Sequence, residues 1–118
     1  MNETLFDRLG GSDKIEQVVD HLYGSIMADD RLNHFFSKTD IDKQKQHQAK
    51  FLTAAFGGAP AYPGRSLQAA HAHLKADHSH YDWVMEHIEE ALYASDIRGK
   101  AAQEALDHIE QYRTHVVH

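Results

Sequence analysis

Residues 43–58 read KQKQHQAKFLTAAFGG, and the spacing is helical: at about 100° per residue, Phe51, Leu52 and Ala55 define one apolar face. Stepping back one and two turns leads to Gln48, His47 and Gln44, so a buried stripe turns polar halfway along its length. Burying an amide or imidazole without a partner costs about 1–3 kcal/mol on protein mutational scales. Such groups on one face imply something polar or metallic for them to meet. Gly57 and Gly58 end the helix, and the segment GGAPAYPG, residues 57–64, holds both prolines of the chain and reads as a loop or hinge.

Outward from this stretch the apolar spacing stays helical, with no convincing alternation of β-branched residues, so the fold class is all-α. Thr4 is the expected N-cap of a short helix carrying Leu5, Phe6 and Leu9, which Gly10 and Gly11 stop. Ser12 is the expected cap of the next, whose stripe is Ile15, Val18, Val19, Leu22, Ile26 and Met27 and which turns Tyr23 inward. A helical turn with Leu32, Phe35 and Phe36 follows, and Thr39 with Asp42 resembles a capping box for the helix of residues 43–58. Beyond the hinge, Ser66 caps a helix to about Lys75 with Leu67, Ala70, His71 and Leu74 in its stripe and His73 rotated away. Ser79 starts a helix with Trp83, Val84, Ile88, Ala91 and Leu92, and SDIRGK separates it from a last one running from Ala102 through Ile109 and Tyr112 to Val116.

The 118 residues predict a single domain, 1–118, large enough for a core without staples. With 42% hydrophobic and 25% charged residues, the composition is that of an ordinary globular protein, and no apolar run is long enough to span a bilayer. The N-terminus lacks a basic start and an apolar signal core, so the expected location is cytoplasmic. The absence of cysteine excludes disulfides, thiolate zinc sites, iron–sulfur clusters and a cysteine nucleophile. A formal net charge of −6 gives no basic footprint for nucleic acid. The unusual number is 11 histidines, whose full protonation would carry the charge from −6 to −6 + 11 = +5. Histidine is where function is to be sought.

His47 and His71 lie on apolar helix faces with the hinge between them. From His47 the helix runs on for about 14 Å and the next returns about 9 Å to His71, at 1.5 Å per residue, which lets the two imidazoles face each other. A compact zinc site needs three or four converging ligands, and the HExxH spacing is absent. The pair suits a flat cofactor ligated across its plane, and haem takes one obligatory imidazole while leaving its other face for a gas or a second side chain. Gln44, Gln48 and Tyr23 then become hydrogen-bond donors toward a diatomic ligand, and Phe35 and Phe36 become apolar contacts for the porphyrin.

These residues carry a family resemblance. LFDRLGG (5–11), HLYGSIMADDRLNHFF (21–36), KQKQHQAKFLTAAFGG (43–58) and YPGRSLQAAH (62–71) run in register with the group I truncated haemoglobins, short globins with a two-on-two α-helical sandwich around haem. The resemblance implies haem b, His71 as the proximal iron ligand, Tyr23 as the tyrosine that bonds the bound gas, and Gln44 and Gln48 as its distal partners. His47 matches a position that in some cyanobacterial and algal relatives is a sixth iron ligand. After residue 72 the match fades: AHLKADHSHYDW looks shorter than the corresponding link in relatives. Some relatives bond a C-terminal histidine to a haem vinyl group. His115 is the nominal candidate, although a gapless alignment after HYDWV brings Thr114 to that place.

The expected function is reversible binding of O2, NO and CO, with turnover of NO to nitrate and an external reductase restoring ferrous haem. The alternative is a bis-histidyl haem protein, with His47 and His71 both on iron, for electron transfer or redox and gas sensing. Blander readings stand beside these: histidines and a tyrosine satisfied within the core, glutamines at a boundary, and a haem-free helical module. His73, His78 and His80 are a further, less favoured candidate for weak binding of a surface transition metal, adventitious rather than physiological. No long exposed apolar helix calls for a partner, so a monomer or weak oligomer is expected.

Overall fold

The computed structural model describes residues 3–60 and 77–116, the side chains of 115 and 116 excepted. Helix α1 (Leu5–Leu9) is capped as its sequence predicts: the Thr4 hydroxyl accepts from the Asp7 N–H and the Asp7 carboxylate accepts from the Thr4 N–H. Gly10, at φ 122°, closes α1 through its N–H to Asp7 and Phe6 carbonyls and at the same time precedes the first residue of α2 (Gly11–Met27). That backbone leaves no room for a separate cap, so Ser12, expected in that role, lies inside the first turn of α2.

Helix α2 buries Ile15, Val18, Val19, Leu22, Tyr23 and Ile26 as its periodicity requires, while Met27, at the frayed end, is 37% exposed. A turn and a short 3-10 helix (Asn33–Phe36) lead to α3 (Ile41–Ala55). Its cap is Asp40, whose carboxylate accepts from the Lys43 N–H, rather than a box of Thr39 and Asp42. Thr39 instead closes the preceding turn, its N–H donating to the Phe36 carbonyl. Helix α4 (His78–Ala94) starts at Asp77, not Ser79, because Asp77 and His80 form a reciprocal cap. After a bend at Asp96, α5 (Gly99–Glu110) follows, and the helix expected to run on to Val116 breaks at Gln111 and Tyr112 before the short α6 (Arg113–Val116).

Helix α2 packs on both α3 and α4, and α4 on α5, so an α2–α3 pair faces an α4–α5 pair in a two-on-two arrangement. Among the described residues there is no strand, and no helix is long and apolar enough to cross a membrane. Val18, Leu22, Leu52, Leu92 and Ala105, drawn from all four long helices, form the fully buried centre. Helix α1 is fastened to the end of α3: the Phe6 N–H donates to the Phe56 carbonyl at 2.9 Å. The Phe6 ring lies so close over Gly58 that a Cβ there would come within 2.6 Å of it. The stripe residues Leu67, Ala70, His71 and Leu74, with Ser66 and His73, lie outside the described residues.

Candidate functional site

Tyr23 sits at the edge of the α2 stripe, 3% exposed, where α3 crosses it. The side-chain amide of Gln44, in the first turn of α3, donates to the Tyr23 hydroxyl oxygen at 3.2 Å. The Phe36 ring stands edge-on to Tyr23, centroids 5.7 Å apart at 89°, a geometry in which the positive ring edge meets the negative face. Burial pushes the Tyr23 phenol above its ordinary pKa while the Gln44 bond pulls the other way, and the net direction is upward. The phenol therefore keeps its proton at neutral pH. That proton has no acceptor among the described residues, since the hydroxyl bond to Gln44 uses the oxygen as acceptor.

Gln48, one turn beyond Gln44 on the same side of α3, is half-buried, whereas His47 is exposed. Phe35 and Phe36, expected to act together, diverge. Phe36 meets Tyr23, while Phe35 stacks between His34 at 4.2 Å and the edge of His80 at 5.0 Å and so faces α4. His71 lies outside the described residues, as does the side chain of His115. The structure thus brings together Tyr23, Gln44 and Phe36, with Gln48 alongside.

Phe51, Val84, Met85, Leu106 and Tyr112 pack against the core that holds Tyr23 and are only partly buried. Phe51 and Tyr112 meet edge to face at 4.9 Å. Partly covered apolar side chains on α3, α4 and α5, in a core that also buries the Tyr23 hydroxyl, fit a large flat apolar group that carries one polar centre. No set of three or more His, Asp or Glu among the described residues converges as a site for a bare ion. Haem brings its own pyrrole nitrogens and asks the protein for one or two imidazoles and an apolar wall; the described residues offer the apolar side chains, and His71 lies outside them.

The surface cluster of histidines is not assembled among the described residues. The His80 Nδ1 accepts from the Asp77 N–H at 3.0 Å and its ring lies against Phe35 and Trp83, while the His78 Nδ1 faces the Arg113 guanidinium at 3.3 Å. The Nδ1 of one histidine serves a helix cap and that of the other an arginine, and among the described residues no three metal-ligating side chains converge there. His73 lies outside the described residues.

Sequence reasoning missed a second constellation, formed by Asp29 and Arg31 in the turn after α2 with Trp83 and His87 on α4. Its signal was present in the spacing of His80, Trp83 and His87, which places all three on one helix face. The partners in the turn carry no periodicity, so nothing local pairs them with α4.

Residues 4–118 match the family described as bacterial-like globin. Among characterised relatives, the group 1 truncated haemoglobin of Synechocystis is 42% identical over 89 residues, covering 72% of each chain. That of a Nostoc species is 37% identical over 106 residues, covering 90% of each. Among solved structures, the 2/2 haemoglobin of Synechococcus, in the cyanomet state with covalently attached haem, superposes with a TM-score of 0.91 at 36% identity over 98% of both chains. The Fe(III) form of the truncated haemoglobin of Tetrahymena pyriformis gives 0.89 at 30% identity over 98% of both.

Proposed function

The chain belongs to the bacterial-like globins, within the group 1 truncated haemoglobins, and from that premise we propose that it binds O2, NO and CO reversibly at a haem b and turns NO over to nitrate. When bound, haem would supply an iron that takes a diatomic gas, and His71 would be the imidazole that holds it. The observation that carries this reading is the buried Tyr23–Gln44 pair, a protonated phenol whose hydrogen has no acceptor among the described residues.

In this reading His71 holds the iron from the proximal side. Tyr23 donates its O–H to the gas, Gln44 fixes the direction of that phenol, and Gln48 is a second donor from α3. Phe36 closes the tyrosine off from water, which strengthens a hydrogen bond made there. An external reductase returns the electron spent in each NO turnover. The protein acts in the cytoplasm as a monomer or weak oligomer.

The test is oxygen release from the haem-loaded protein by stopped-flow. A Tyr23→Phe, Gln44→Leu, Gln48→Leu variant is expected to release oxygen faster; release at the original rate would remove these residues from the role. The visible spectrum of the reduced, gas-free protein decides the place of His47: a single broad band leaves it aside, whereas sharp split bands put it on iron and favour the bis-histidyl reading.

A further inference from the structure

The turn between α2 and the 3-10 helix is held on α4 by three consecutive contacts. At its start, the His87 Nε2 and the Asp29 Oδ2 are 2.7 Å apart, with only 13% and 10% of the two side chains exposed. In the middle, the Arg31 guanidinium lies 4.5 Å over the Trp83 ring while also pairing with Asp29 at 2.8 Å. At its end, Phe35 meets the edge of His80 at 5.0 Å, and His80 in turn meets Trp83 at 5.5 Å. Residues 29, 31 and 35 of the turn are thus matched in reverse order by 87, 83 and 80 of α4.

Asp29 is the hub of this clamp. Its carboxylate accepts from the backbone N–H of Arg31 and from the Arg31 side chain, and its own carbonyl accepts from Leu32 and Asn33, the residues that begin the 3-10 helix. The 3-10 helix then delivers Phe36 to Tyr23. His87 is an expensive way to fasten such a turn, because its Nδ1 is buried without a hydrogen-bond partner among the described residues, with Glu90 at 3.9 Å. An apolar side chain would avoid that penalty. What the imidazole adds is direction: with the proton on Nε2 it donates along one line to Asp29.

We propose that His87 and Asp29 are positioning residues for the distal pocket, setting the register of the turn on α4 so that Phe36 holds Tyr23 in its donating orientation. The proposal rests on the reading of Tyr23 as the gas-binding donor.

The experiment compares haem-loaded wild type with His87→Leu, His87→Gln and Arg31→Met. Two signals are read: the carbon monoxide stretch, which senses the field of the Tyr23 hydroxyl, and amide hydrogen exchange across residues 29–36. His87→Leu is expected to split or shift the stretch and to raise exchange in the turn roughly tenfold, equivalent to 1.4 kcal/mol of lost protection. His87→Gln, whose amide can donate in the same place, restores both signals. Arg31→Met, at an exposed position in the same clamp, is expected to loosen the same amides if His87→Leu does not fold. Unchanged stretch and exchange in His87→Leu, or in Arg31→Met where that is the variant available, overturn the proposal. So does a failure of His87→Gln to restore them. Tyr23→Phe separates the two readings: if it leaves the stretch unmoved, the gas-donor reading of Tyr23 fails and takes the positioning role with it. Loosened amides in His87→Leu beside an unmoved stretch overturn the positioning role alone when Tyr23→Phe does move that stretch.

Discussion

The Gln44 amide donates to the Tyr23 hydroxyl at 3.2 Å, joining the first turn of α3 to the interior of α2. The two side chains make one unit, since the amide satisfies the phenol oxygen and the phenol hydrogen has no acceptor among the described residues, which under the proposed function leaves it for the gas. Removing Tyr23 should therefore matter more than removing Gln44. A hydrogen bond in a dry pocket is worth about 1–3 kcal/mol when its loss leaves a partner unsatisfied, which corresponds to roughly 5- to 150-fold in a rate. Tyr23→Phe is expected to speed oxygen release within that range and Gln44→Leu by less. The double variant should fall short of the product of the two, because the sites share one interaction. Flash photolysis and stopped-flow mixing on the four proteins measure it, and strictly multiplicative effects would show that the two residues act independently.

The helices were legible because their apolar stripes repeat at 3.6 residues: Ile15, Val18, Leu22 and Ile26 are as buried as their spacing requires. Tyr23 and Gln44 were legible too, as polar groups out of place on such faces. Caps were less so, since Asp40 and Asp77 were each passed over for a neighbour of similar chemistry, and only backbone geometry chooses between adjacent candidates. Phe35 and Phe36 could not be separated, because in a 3-10 helix adjacent residues point about 120° apart and the sequence does not say which neighbour awaits each. The Asp29–His87 pair was only half legible: the spacing of His80, Trp83 and His87 marks one face of α4, but nothing local pairs that face with an aspartate 58 residues away.

Gly58 sets how closely α1 can approach the end of α3. A methyl group there would meet three ring atoms of Phe6 at 2.6–2.9 Å, well inside contact distance. Gly58→Ala is expected to destabilise the fold by about 1–3 kcal/mol, the range for overpacking, with relief when Phe6 is shortened to leucine in the same chain. Urea unfolding gives the answer: the midpoint should fall with the slope unchanged, and an unaltered midpoint would mean that α1 moves away without cost.

Tyr23 and Tyr81 should resist alkaline titration. Burial raises both phenols above their ordinary value, for Tyr81 with Glu110 adding to the effect and Arg113 opposing it, and the Tyr81 O–H is donated to the Ile109 carbonyl at 2.7 Å. The unfolded chain releases both protons near pH 10, so it binds fewer protons than the native state above that point. Their contribution to stability is therefore complete below about pH 10 and is lost as pH rises beyond it. Followed by phenolate absorbance together with the helical signal, two of the five tyrosines should ionise only as the helices melt. Ionisation of all five in a chain that is still helical would contradict this.

Asp29 should shape the acid side of the stability curve. Hydrogen bonds from Arg31 first, and from His87 next, hold its carboxyl well below the usual carboxylate range. In the unfolded chain the same group takes up a proton near pH 3.9, so the unfolded state binds more protons as pH falls past that value. The stabilisation is present above about pH 4 and drains away below it. Asp29→Asn keeps the shape but not the charge: it is expected to lower stability at neutral pH and to flatten the decline between about pH 5 and pH 2. A residual slope should remain from Glu104, which Arg8 holds below its ordinary value in the same manner. Urea titrations at several pH values measure both slopes. If wild type and Asp29→Asn lost stability in parallel as the solution was acidified, the carboxylate at the centre of the turn would not be the group whose protonation loosens it.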